Sequence, residues 1–201
     1  MPVFVPAERF ERWVVNFQGR HGETGLGVVD GALTGSAADG STFSAWLPFD
    51  RRYDGLPDPA AFRERMIVPD DWGVLLVRKG GFAVARLAGT RTAESKVGQR
   101  HVQGRTKAGG QSQQRFARRR DNQARQAYEA AADHAARILA GLSGPLVTGG
   151  DHAAVDEVLT DARLRHARPA GLWLAVPDPR RGVLEEAVRD ACSALVDVHN
   201  A

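Results

Sequence analysis

The sequence predicts an α/β (α+β) fold in which a mixed β-sheet is flanked by helices and preceded by an N-terminal extension. Three observations carry this reading. Two apolar runs bracket a glycine turn in WGVLLVRKGGFAVARL, a long helical period follows from Ser112 to Ala140, and strand-like and helix-like segments then alternate to the C-terminus. A chain of 201 residues, 43% apolar and 25% charged, suits one domain with an extension and a real hydrophobic core.

The elements follow in order. ERFERWVVNFQ sets Phe10, Trp13, Val14 and Phe17 at helical spacing, with Gly19 as the expected C-cap. From Gly22 to Asp50 short β-like pieces are broken by Gly, Asp and Ser, and Thr42–Phe49 alternates Phe43, Ala45, Leu47 and Phe49 as a half-buried strand would. The Pro- and Asp-rich stretch 50–71, with a short helix near Ala60–Arg65, reads as a connection. Residues 1–69 are thus expected to form the extension, rich in helix and β-structure, and 70–201 the main domain. There, Trp72–Lys79 and Phe82–Leu87 form a hairpin, and a third extended stretch runs from about Ala93 to Gln103. A long helix follows, with Phe116, Ala124, Ala127, Tyr128, Ala131, Ala135, Ile138 and Leu142 in one stripe. The tail reads as strand Leu146–Thr148, helix His152–Thr160, strand Leu172–Val176 and helix Val183–Val198.

The single Cys192 lies in an apolar helical pattern and rules out an internal disulfide or a cysteine-based zinc site. The N-terminus meets Glu8 and Arg9 before a signal-peptide core forms, and no window is apolar enough to span a membrane. A cytoplasmic monomer with no membrane contact and no cofactor is expected. The histidines lack paired metal spacing, so no metal site is expected, and only His101, inside the basic segment, is a candidate for touching RNA.

The net charge of +3 conceals a segregation. Eight of the 27 basic residues lie between Lys96 and Arg120 with no acid among them, leaving 19 against 24 acids elsewhere. A concentrated basic segment on an acidic body suits a polyphosphate partner. Within it runs GRTKAGGQSQQRFARRR. Gly109 and Gly110 permit backbone angles closed to other residues and let another molecule approach the main chain. Gln111 offers an uncharged donor and acceptor, and Ser112 is placed to cap the helix that follows. Arg115, Arg118, Arg119 and Arg120 decorate its first turns, and Arg105 and Lys107 precede the glycines. Such a segment would hold a phosphate backbone through its cations while a narrow neutral tip reached into a confined site.

GGQSQQRFARRR closely resembles the GGQSxxRFARxR segment in the middle domain of archaeal and eukaryotic class I peptide release factors. Gly109, Gly110, Gln111, Ser112, Arg115, Phe116, Ala117, Arg118 and Arg120 match position by position. The resemblance extends over roughly 70–200, from WGVLLVRKGGFAVARLAGTRTAE through the long helix into LVTGGD. It implies a ribonuclease-H-like release-factor middle domain whose GGQ loop enters the peptidyl-transferase centre of the large ribosomal subunit. Gln111 would then admit or coordinate the water attacking the peptidyl-tRNA ester, its N–H stabilising the leaving oxygen or the oxyanion, with Gly109 and Gly110 shaping the loop. The arginines and lysine above would bind RNA.

The chain has no room for a codon-reading domain or a partner-binding C-terminal domain, so codon-independent action is implied. It looks most like the stand-alone release-factor-like hydrolases of ribosome-associated quality control, an actinobacterial group among them, which free nascent chains from stalled large subunits. Two other functions compete: a non-catalytic ribosome- or rRNA-binding module, and an endonuclease cutting tRNA near its 3′ CCA end. Phosphodiester cleavage normally wants a metal, a ribose-activating base or strong electrostatic stabilisation, and the tip offers no metal ligands or base, which favours the ester. TGGDHAAVDEVL reads as an ordinary strand-to-helix turn capped by Asp151, Asp70-Asp71 as solvated turn residues, and the four tryptophans as core.

Overall fold

Along the chain the elements are β1 (Val3–Val5), α1 (Ala7–His21), β2 (Thr24–Val29), β3 (Ala32–Ala37), β4 (Thr42–Trp46) and α2 (Pro59–Glu64). They continue with β5 (Trp72–Arg78), β6 (Gly81–Ala88), β7 (Arg91–Gln99) and α3 (Gln111–Ile138). The last are β8 (Pro145–Gly150), α4 (His152–Leu159), β9 (Arg168–Leu174), α5 (Arg181–Ala191) and β10 (Ala194–His199). The computed structural model describes residues 2–99 and 111–201, with side chains for 2–99 and 125–201. The class is α+β, in two compact units: Met1–Val68 with Val188–Ala201, and Pro69–Ala187.

In the first unit an antiparallel sheet has the order β1-β10-β4-β3-β2. The apolar stripe of α1 buries Phe10, Val14 and Phe17 in a core with Leu33, Phe43, Tyr53, Phe62 and Val196. Phe10 and Phe62 stack at 4.5 Å, and Asp58 caps α2 by accepting from the Ala61 N–H. Helix α1 outruns the expected end: Gly19 lies inside it, and Gly22, at φ 89°, is the C-cap. The strand expected through Phe49 stops at Trp46, because Phe49 and Asp50 turn to positive φ in a 3₁₀ turn.

The second unit holds a mixed sheet in the order β7-β6-β5-β8-β9. Strands β5, β6 and β7 are antiparallel neighbours, whereas β5, β8 and β9 run parallel. The expected hairpin is β5–β6, turning at Lys79-Gly80. Strand β5 is buried along nearly its whole length, as a strand covered on both faces must be. The alanines of α3 (Ala131, Ala132, Ala135) with Ile138 and Leu139 bring that helix onto Leu75, Val77, Phe82 and Val84.

The tail departs from expectation in one respect. The helix read as Val183–Val198 ends at Ala191, and Ala194–His199 is a strand of the first sheet, between β1 and β4. The Ser193 N–H and hydroxyl turn back onto the Asp190 and Arg189 carbonyls, at 3.0 and 2.8 Å, and stop the helical ladder.

Candidate functional site

The basic segment joins two elements of the second unit, edge strand β7 and helix α3. Arg105, Lys107, Gly109 and Gly110, with His101, lie outside the described residues. Gln111 is the first residue of α3, so the helix begins one residue before the position at which Ser112 would cap it. Arg115, Arg118, Arg119 and Arg120 follow on the same helical backbone. Their side chains, like that of Gln111, lie outside the described residues.

Helix α3 runs 28 residues, about 42 Å at 1.5 Å per residue. Its first described buried position is Ala127, about 24 Å along the axis from Gln111 by the same rise. The base beyond that point is fixed from several sides. Arg137 pairs with Glu94 of β7, Asp133 with Arg163 at 2.7 Å, and the His134 ring stacks on Phe82 of β6 at 5.6 Å. The His166 Nε2–H donates to the Leu139 carbonyl at 2.8 Å.

The strongest fixture was not legible as such in the sequence. Asp71 is no solvated turn residue: it grips Arg86 through both carboxylate oxygens, at 2.8 and 3.1 Å. It also accepts from the Ser143 N–H and hydroxyl, at 2.9 and 2.8 Å. Arg86 in turn donates to the Ala140 carbonyl at 2.6 Å, closing the C-terminal end of α3. The Arg86 guanidinium and the Ser143 donors outweigh partial burial and hold the Asp71 carboxyl at about 2. Only the strand register brings the pair together: Arg86 lies opposite Gly73, two residues from Asp71.

Two clefts flank the helix base. One, of about 450 Å³, has Tyr128, Glu157, Asp133, Asp161 and Arg163 in its lining, and Arg163 already pairs with both aspartates. The other, of about 270 Å³, opens between β7 and α3. Among the described residues no group of His, Cys, Asp or Glu is arranged to hold a metal ion.

The remaining motifs are structural. A Cβ on Gly149 would stand 2.4 Å from the Leu174 carbonyl, and Gly150 has φ +105°. The TGGD glycines therefore serve close strand packing and a turn, with Asp151 capping α4 through the Ala154 N–H. Trp72 is wholly buried and donates to the Gly89 carbonyl at 2.8 Å, while Trp173 stacks on His152 at 3.5 Å. Cys192 is half-buried, and burial pushes its thiol up to about 11.

A mixed sheet of this order, carrying a GGQ segment between its edge strand and its longest helix, defines a release-factor-like domain. The chain belongs to the family described as acVLRF1, the Actinobacteria/chloroflexi VLRF1 release factor, whose model matches residues 70–197. Membership carries a release-factor-like, ribosome-related function. No curated protein matches the chain. No helix among the described residues is long and apolar enough to cross a membrane.

Proposed function

We propose that the protein is a codon-independent peptidyl-tRNA hydrolase that frees nascent chains from stalled large ribosomal subunits. One observation carries the reading: Gln111, last residue of the GGQ string, is the first residue of a 28-residue helix whose base is clamped to the sheet. A helix start concentrates unpaired N–H groups and the positive end of the helix dipole. A group at that end stands some 24 Å beyond the packed base, by the helical rise. It can therefore reach into an RNA-walled site that the body of the domain does not enter.

The chemistry asked of the protein is modest. The ester is already activated by its surroundings, so a placed water and a few oriented donors suffice. Gln111 positions the water, and its backbone N–H faces the charge that develops as the ester opens. Gly109 and Gly110 let the loop fit, while Arg105, Lys107, Arg115, Arg118, Arg119 and Arg120 hold RNA phosphates. The domain division at residue 69 belongs to the same proposal, with Ala194–His199 crossing back into the sheet of the first unit.

The test is product analysis. Purified protein is incubated with large subunits holding peptidyl-tRNA, and both products are examined. Free peptide beside tRNA with an intact CCA end is the expected result. A peptide carrying a nucleotide stub would mean strand cleavage instead, and ribosome binding without release would mean a non-catalytic module.

A further inference from the structure

The cleft between β7 and α3 has a composition that core packing does not require. Phe82 of β6 lies directly across from Gly98 of β7. A Cβ on Gly98 would stand 2.3 Å from the Phe82 ring, so the glycine lets that ring lie against the strand. On the helix side His134, half-buried, lies nearly parallel to Phe82 at 27°. Around this aromatic pair stand Lys96, Gln99 and Gln126, all exposed and lining the same cavity. Among the described residues their side chains have no hydrogen-bond or ion-pair partner, and the acid nearest in β7, Glu94, is committed to Arg137.

We infer that this cleft is a binding site for one unpaired adenine nucleotide of ribosomal RNA. The inference rests on the proposed ribosomal function and deepens it. Phe82 is itself buried, so the half-buried His134 ring that it backs is the surface on which a base stacks. A carboxamide sets a donor beside an acceptor, a pattern that matches the edges of adenine and of cytosine. Two carboxamides border this cavity, and the larger stacking face of the purine favours adenine. Lys96 opens the acid-free basic segment and supplies the charge for the nucleotide's phosphate. The volume of about 270 Å³ falls just below the roughly 300–1,000 Å³ of sites for drug-sized ligands, which suits a single flat heterocycle and its sugar. Gln126 stands about 22 Å behind Gln111 along α3. With Gln111 at the ester, the cleft lies on the flank of the helix and not at its reacting tip, and we assign the nucleotide to the ribosomal RNA around that flank.

The experiment titrates the full ¹⁵N-labelled protein with adenosine 5′-monophosphate, cytidine and uridine 5′-monophosphates, and ribose 5-phosphate. The expected result is saturable shifts at Gly98, Gln99, Gln126 and His134 with the adenine nucleotide. The pyrimidines should bind at least fivefold more weakly, and ribose 5-phosphate should leave those signals unmoved. Gln126→Leu, on an exposed helix position, should weaken the adenine nucleotide at least fivefold at unchanged melting temperature, and Lys96→Gln should weaken ribosome binding. A photo-crosslinking residue at position 126 should attach to ribosomal RNA in the large-subunit complex. Equal shifts with ribose 5-phosphate, shifts confined to other residues, or an unaffected Gln126→Leu would overturn the site, and attachment to tRNA would overturn its source. The nucleotide titration does not depend on turnover. Cleft binding with ribosomal RNA attachment but no peptide release would sink the hydrolase reading and keep the site, and release without cleft binding would do the reverse.

Discussion

At the scale of single residues, two side chains divide the work. Gln111 carries the proposed chemistry, and its amide is neutral where a charge would be costly to bury beside RNA. Asp71 carries none, yet it ties the end of α3 to the sheet through Arg86 and Ser143. With 26% of its side chain exposed, its charged form is stabilised by neighbours that the unfolded chain lacks. Its folded carboxyl is held at about 2 against an ordinary 3.8. A depressed carboxylate contributes stability that is complete above about pH 4 and disappears as pH falls toward 2. Asp71→Asn should therefore cost on the order of 1–2 kcal/mol at pH 7, after allowance for partial exposure. Denaturant titrations should show the wild-type advantage vanishing between about pH 4 and pH 2. An advantage that persists at pH 2 would remove the ion pair as its source.

At the scale of elements, α3 is built against its own dipole. Its first turn holds no acid, and Arg115, Arg118, Arg119 and Arg120 crowd its N-terminal third, where positive charge is unfavourable. Under the proposed RNA binding, a phosphate there would relieve that repulsion. RNA should therefore raise the helical signal at 222 nm, and Arg118→Ala should flatten the salt dependence of ribosome affinity by about one phosphate contact. An unchanged salt slope would remove Arg118 from the phosphate contacts. Which elements were legible in the sequence follows from similar local reasoning. The β5–β6 hairpin was plain because long apolar runs met a Lys-Gly turn, and α3 because its alanine stripe kept a helical period throughout. Strand β10 was misread because Ala191, Leu195 and Val198 continue a helical spacing while ALVDVH also alternates. Pairing with β1 and β4 decides between the two, and that partnership spans most of the chain. The Asp71–Arg86 clamp and the β7–α3 cleft were hidden for the same reason, since both arise from strand register and helix placement.

At the scale of the whole molecule, the family match spans 70–197, while the C-terminal strand completes the sheet of the first unit. Ala194 and Val196 are fully buried there, between β1 and β4. Removing residues 194–201 withdraws an interior strand, so the truncated chain should lose the cooperative melting of the first unit, seen as a missing transition in calorimetry. A full-length thermogram from the truncated chain would contradict that assignment. The central claim concerns Gln111 at the start of α3. It is tested most directly by a single-turnover measurement of peptide release from large subunits, with wild-type and Gln111→Ala protein compared at equal occupancy. Rapid release by the wild type and a loss of at least a hundredfold in the variant, with ribosome affinity unchanged, is the predicted result. Equal release rates for the two proteins would contradict it.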